Sequence, residues 1–231
     1  RFSQQVSAHK HRHNREAGGD IALGRGGGAG RHVQSLRLRG RAHRRSVFEA
    51  FARRLPEGRR FGVVAGTARL LDLIADFTFS PDDLAYLSGF LTPAAIDYLA
   101  DYRFRGSITG YREGEIYFPG SPLLVVESSF AEGVILETLI LSVLNYDSAV
   151  ASAAARMVAA ADGRPLAEMG SRRTGERSAV AAARAAYIAG FSATSNLEAG
   201  RTWGVPTMGT AAHAFTLLHD SAQVAAVEQK I

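Results

Sequence analysis

Apolar positions along this chain change their spacing several times, and each change predicts an element. Residues 61–66 form a short apolar run ending at Gly66, which predicts a strand. Residues 68–77 repeat apolar positions at helical spacing. Ser80-Pro81-Asp82-Asp83 carries a capping hydroxyl, a proline for the first turn and acids for the positive end of a helix. Thr92-Pro93 opens another helix, to about Asp101. Strands are predicted over 105–109, 115–118 and 123–127, separated by Gly114 and by Pro119-Gly120-Ser121-Pro122. Ser129-Phe130-Ala131-Glu132 reads as a capping box, opening a helical region over 131–161 with a bend expected near Asn145.

Beyond Gly163 the pattern alternates. Strands are predicted over 166–170, 191–194 and 205–209. Helices are predicted over 177–189, ended by Gly190, and from a second capping box, Ser195-Asn196-Leu197-Glu198. Strand–helix alternation argues for a parallel sheet or barrel. About three strands fit before Ile231, too few for a closed eight-stranded barrel. The most apolar run, 134–144, is interrupted by Glu137 and reads as too short to span a membrane.

Residues 1–45 have no such periodicity. They carry 11 of the 27 Lys/Arg and two of the 22 acids, so the rest of the chain is mildly acidic although the net charge is +5. They also hold five of the seven histidines, His9, His11, His13, His32 and His43. Such a segment buries too little apolar surface to offset its ordering entropy and predicts a disordered basic tail. A solvated tail, or translation in a shifted frame or from a wrong start, explains its abrupt end at Ser46. A nucleic-acid-binding arm is the competing reading, weakened by the lack of stacking aromatics other than Phe2. The chain has no cysteine, which removes disulfides and thiolate metal sites and suits a reducing, cytoplasmic setting. No apolar leader core is visible.

In a parallel barrel, residues just past each strand line one mouth. Here these are Ser171, Arg172, Arg173 and Thr174, then Ser195 and Asn196, then Thr210 and His213. The set has no carboxylate pair for glycosidase-type chemistry and no spacing of His or Cys for a metal cluster around His213. Two guanidiniums with hydroxyls and an amide suit a carboxylate or phosphate, and a helix start at Ser195 could hold a further anion. A histidine in this position could accept a proton, bind a metal or attack a phosphoryl group; spacing alone leaves these open, together with a purely structural role.

With their flanks, these residues resemble nicotinate phosphoribosyltransferases. The likeness runs from about Ala42 to Asp220. It is carried by Ser46-Val47-Phe48-Glu49, Glu113-Gly114-Glu115-Ile116-Tyr117-Phe118-Pro119-Gly120-Ser121-Pro122, Met169-Gly170-Ser171-Arg172-Arg173, Thr194-Ser195-Asn196 and Gly209-Thr210-Ala211-Ala212-His213. The resemblance implies an α/β protein. After the tail (1–45), which carries no family match, come an N-terminal α/β domain (46–128) and a helical linker with the first strands and helices of an incomplete type II phosphoribosyltransferase, TIM-like barrel (129–231). It implies nicotinate mononucleotide synthesis from nicotinate and phosphoribosyl pyrophosphate in NAD salvage, coupled to ATP hydrolysis through a phosphohistidine. By context His213 matches that histidine, Thr210 lies at the nicotinate position, and Arg172 and Arg173 face the substrate anions beside Ser195 and Asn196. Mg²⁺ would enter mainly on substrate phosphates. The full-length protein would be a homodimer with neither membrane nor nucleic acid as partner. A nicotinamide- or quinolinate-using relative is the nearest alternative.

Three departures stand out. Residues 1–45 lack the family's Tyr-x-Leu-Thr motif, Ala214 follows the histidine where many relatives have Ser, and family members are much longer. They lead to the expectation that this chain alone is an inactive fragment.

Overall fold

The computed structural model describes residues 2–4, 41–210 and 213–218. Contacts divide it into two compact units, Arg1–Ala149 and Val150–Ile231.

The first unit is built on an antiparallel sheet of order β1-β4-β6-β2, with β1 (Phe2–Gln4), β2 (Arg45–Phe51), β4 (Ser107–Gly110) and β6 (Pro122–Ser129). Strand β6 is central, pairing with β2 on one side and β4 on the other. Successive side chains alternate between faces. Ile108, Leu124 and Val126 therefore point into the core, with Phe48 packed against it. Onto that face pack α1 (Thr67–Ala75), α2 (Pro81–Leu87), α3 (Pro93–Ala100) and the first half of α4 (Phe130–Ala161), through Leu70, Ile74, Leu87, Leu99, Leu136 and Leu139 among others. Each such leucine stabilises the unit by roughly 1.5–3 kcal/mol. A small ribbon of β3 (Gly62–Val63) and β5 (Ile116–Tyr117) carries a second cluster of Val64, Tyr117 and Leu123.

Two of the predicted helix starts in this unit, at Ser80 and Ser129, are built as capping boxes. Ser80 Oγ accepts the Asp83 N–H at 3.1 Å while Asp83 accepts the Ser80 N–H at 2.8 Å. Ser129 Oγ accepts the Glu132 N–H at 3.3 Å, and Glu132 accepts the Ser129 N–H at 3.0 Å. These bonds satisfy donors that a helix leaves orphaned at its first turn.

Several expectations need correction. Strand β2 is absent from the periodicity reading because both faces mix apolar and polar residues: Val47 and Phe51 share the solvent face with Arg45 and Glu49, while Phe48 and Ala50 turn inward with Ser46. The boundary at Ser46 falls late, since Ala42 is buried and β2 starts at Arg45; residues 2–4 form a strand, and residues 5–40 lie outside the described part. Helix α4 runs for 32 residues, Phe130–Ala161, as one continuous helix through Asn145. By length and composition it could cross a membrane, with mean hydropathy 1.5 over its most apolar stretch, but half of that stretch is buried. Its buried residues from Ala131 to Leu144 belong to the core of the first unit, as in a core helix. The compact units accordingly divide within α4, not at residue 129.

In the second unit, β7 (Ala167–Glu168) and β8 (Ala193–Thr194) pair in parallel, and Thr207 bridges to Thr194 in parallel on the other side. Helix α5 (Glu176–Ile188) connects the first pair and α6 (Leu197–Trp203) the second; α7 (His213–Leu218) comes next. Ala183, Ala199 and Val205 form the core, and the buried Arg184 guanidinium lies 4.3 Å over the Trp203 ring. The parallel order is as predicted, but the strands are shorter. Gly170 already belongs to a 3-10 turn, Gly170–Arg172, and the third strand is reduced to one bridging residue after Pro206, which has no N–H to donate.

Candidate active site

The ends of the three parallel stretches carry the candidate residues. Thr194, fully buried, sits at the centre: its N–H donates to Pro206 O at 2.9 Å and its carbonyl accepts the Met208 N–H at 2.9 Å. On the β7 side, the Ser195 N–H donates to Glu168 O at 2.9 Å. The main chain of 193–195 is thereby locked between its neighbours, which fixes where Asn196 and the start of α6 emerge from the sheet.

Past β7, the chain closes the 3-10 turn with Arg173 N–H donating to Gly170 O at 2.8 Å. Arg172 and Arg173 are both solvent-exposed on this turn. Past β8, Asn196 Oδ1 accepts the Ala199 N–H at 2.9 Å and caps α6, while Asn196 Nδ2 donates to Ser171 Oγ at 3.1 Å. The arginine-bearing turn and the start of α6 therefore touch. The expected cap, Ser195, does not cap the helix, because its backbone still belongs to the strand ladder. Helix α6 is only seven residues long, and its start is occupied by its own Asn196.

Thr210 and His213 lie beyond the third stretch and are exposed; His213 is the first residue of α7. The intervening Ala211 and Ala212, and His219 further on, are outside the described residues. Among the described residues no three His, Cys, Asp or Glu side chains converge as a metal cage.

Comparison with known proteins decides what this arrangement belongs to. Residues 33–145 match the model of the nicotinate phosphoribosyltransferase N-terminal domain. The chain is 67% identical over 180 residues to the nicotinate phosphoribosyltransferase pncB1 of Mycobacterium tuberculosis, covering 78% of this chain and 40% of that protein. It is 38% identical over 174 residues to the nicotinate phosphoribosyltransferase of Bacillus subtilis, covering 74% of this chain and 36% of that one.

The chain belongs to the nicotinate phosphoribosyltransferase family.

It represents the N-terminal portion of that enzyme family and spans about two fifths of the length of these relatives. The crystal structure of human nicotinic acid phosphoribosyltransferase superposes with a TM-score of 0.76 at 33% identity, covering 81% of this chain and 39% of that one. A nicotinate-nucleotide pyrophosphorylase from Pyrococcus furiosus shares the fold at 22% identity, with a TM-score of 0.69 over 94% of this chain and 49% of that one. The fold is thus the family's N-terminal α/β domain with the opening strands and helices of its barrel after it.

Two residues at this mouth escape a reading by spacing. Glu168 and Thr194 are the last residues of their strands, and their side chains meet: Thr194 Oγ1 donates to Glu168 Oε2 at 2.7 Å. The signal is available in principle, because strand-end position predicts a mouth-facing side chain. It is concealed because strand ends are the least certain part of a pattern, and a lone Glu beside two arginines reads as a surface ion pair.

Proposed function

We propose that this chain contributes the first part of a cytoplasmic nicotinate phosphoribosyltransferase of NAD salvage, which joins nicotinate to the ribose of phosphoribosyl pyrophosphate. Displacement at ribose C1 leaves positive charge on the sugar as the C–O bond to pyrophosphate breaks, and negative charge on the leaving group. Exposed guanidiniums at a strand-end mouth suit the second charge. Arg172 and Arg173 are assigned to the phosphate oxygens, Ser195 and Asn196 to the edge of the same pocket, and Thr210 to the nicotinate. In the coupled step the neutral imidazole of His213 attacks the γ-phosphorus of ATP. The P–O bond to ADP breaks, ADP leaves, and the ring gives up its N–H proton to water. The described residues do not fit a protein cage for Mg²⁺, so the ion is assigned to the phosphates, as is usual for it. A homodimer is the proposed assembly.

The observation that carries this reading is the junction of the arginine turn with the start of α6 through Asn196 and Ser171, in a chain whose relatives bear this activity by name. The test is made on the purified full-length protein that contains this sequence, the chain by itself being expected to be inactive. With γ-labelled ATP, an acid-labile phosphoryl label is expected on the wild type and absent from His213→Asn. Nicotinate is expected to turn over, nicotinamide and quinolinate not. A label that survives in His213→Asn, or turnover of quinolinate in place of nicotinate, refutes the assignment.

A further inference from the structure

Glu168 ends β7, two residues before the arginine-bearing turn begins to close. Its two carboxylate oxygens have separate tasks. Oε1 accepts the N–H of Gly170, the first residue of the turn. Oε2 accepts the Thr194 hydroxyl at 2.7 Å, from the end of β8. The Thr194 oxygen in turn accepts the Asn196 N–H at 3.0 Å, and Asn196 Nδ2 reaches back to Ser171 Oγ at 3.1 Å. The result is a closed ring of hydrogen bonds through strand, turn and helix cap, with one carboxylate bridging its two sides.

A negative charge at a mouth that is to receive anions works against binding unless it has another task. Both oxygens of Glu168 are engaged by neutral donors within the ring. A carboxylate has an acceptor at each end of one rigid plane, whereas an amide of the same length has one. The turn is also shaped around this group: a Cβ at Gly170 would come 2.6 Å from Glu168 Oε1. A Cβ there would push the carboxylate out of the place it holds in the ring.

We propose that Glu168 is the positioning residue of this mouth, fixing the turn that bears Arg172 and Arg173 against the cap of α6 without itself contacting substrate. The inference rests on the proposed function only for the identity of the anion. Its physical content is that the arginines are preorganised by a carboxylate, so that less side-chain and turn entropy is lost when the anion binds.

The experiment compares Glu168→Gln and Glu168→Ala with the wild type, using amide hydrogen exchange, calorimetric binding of inorganic pyrophosphate, and steady-state kinetics. In Glu168→Gln, amides of residues 168–174 and 193–197 should exchange about ten-fold faster, with those of residues 62–145 unchanged. Pyrophosphate should bind about five-fold more weakly, and KM for phosphoribosyl pyrophosphate should rise similarly while kcat stays within about three-fold. Glu168→Ala should move the same quantities further. Unchanged exchange and affinity in Glu168→Gln overturn the proposal. So does a collapse of kcat at constant KM, which would put Glu168 on the reacting atoms, or a loss of thermal stability with both kinetic constants intact. If the wild type makes no nicotinate mononucleotide, the functional reading fails, while exchange and pyrophosphate affinity still decide the role of Glu168.

Discussion

Replacing Thr194 by valine tests whether the second unit is held by its polar centre or by its small apolar core. Valine keeps the shape and the β-branch of threonine, so strand preference and packing volume hardly change. What disappears is one hydroxyl at a fully buried position. That hydroxyl donates to Glu168 Oε2 at 2.7 Å and accepts the Asn196 N–H at 3.0 Å. A hydrogen bond to a charged group contributes about 1.5–3 kcal/mol, and a donor left unpaired costs about 1–3 kcal/mol. Glu168 is only half-buried, so water recovers part of the first loss. The expected destabilisation is therefore ~2–4 kcal/mol, below the simple sum. A purely hydrophobic account gives the opposite sign, since a methyl replaces a hydroxyl in the interior. Urea unfolding monitored by circular dichroism gives the free energy, and hydrogen exchange at residues 193–197 locates it. Amide exchange there should accelerate by about 30-fold or more if local opening carries the loss. Thr194→Ser keeps the hydroxyl and loses one methyl, so it should stay within about 1 kcal/mol of wild type. A valine variant as stable as wild type, or a serine variant as weak as valine, refutes the reasoning.

Two further perturbations address the first unit. Asp147 on α4 is 1% exposed and accepts Arg69 Nε at 3.1 Å and Nη2 at 2.8 Å. Breaking a buried pair costs about 3–5 kcal/mol, and the partial exposure of Arg69 reduces this, so Asp147→Asn should lose ~2–4 kcal/mol in urea unfolding. A loss under about 1 kcal/mol would show the pair to be dispensable. Burial pushes the Tyr102 phenol far above its ordinary value, with Glu132 and Tyr98 adding to the shift. The folded phenol then keeps its proton when the unfolded one, near 10, has lost it. This contribution is fully present below about pH 10 and falls above it by up to ~1.4 kcal/mol per pH unit. From pH 8 to 11 the wild type should lose about 1.4 kcal/mol of stability relative to Tyr102→Phe in urea unfolding. Parallel behaviour of the two proteins would contradict the shift.

Legibility in the sequence tracks the locality of the signal. The boxes at Ser80 and Ser129 are readable because partners three residues apart settle a helix start without help from the rest of the chain. The parallel order of 167–168, 193–194 and 207 is readable because strand–helix alternation leaves little other choice of connection. Strand β2 is not, because Val47 and Phe51 on its outer face and Ser46 on its inner face blur the alternation that marks a strand. Ser195 is mistaken for the cap since both it and Asn196 are good capping residues; only the ladder bond from Ser195 N–H to Glu168 O separates them. Glu168 itself cannot be recognised by spacing, because its partners lie two and 26 residues away and meet it only once β7 and β8 are paired.

The same distinction divides the mouth by what holds it. Ser171, Thr194, Asn196 and Glu168 are tied to each other and to the main chain of paired strands, so the turn that bears the arginines inherits the rigidity of the sheet. Thr210 and His213 come after a stretch held through the two hydrogen bonds that Thr194 makes with Pro206 and Met208. A group that binds one anion gains from being held in advance, because each freedom lost beforehand is not lost on binding. A nucleophile that must meet ATP in one step and leave the pocket to other substrates in the next gains from a looser attachment. The proposed roles place the anion-binding arginines on the locked part and the phosphoryl acceptor beyond it, as these opposite requirements demand. Loosening the ring at Glu168 should therefore impair anion binding before it impairs labelling of His213, and a variant with the reverse order of losses would separate position in the fold from role in the reaction.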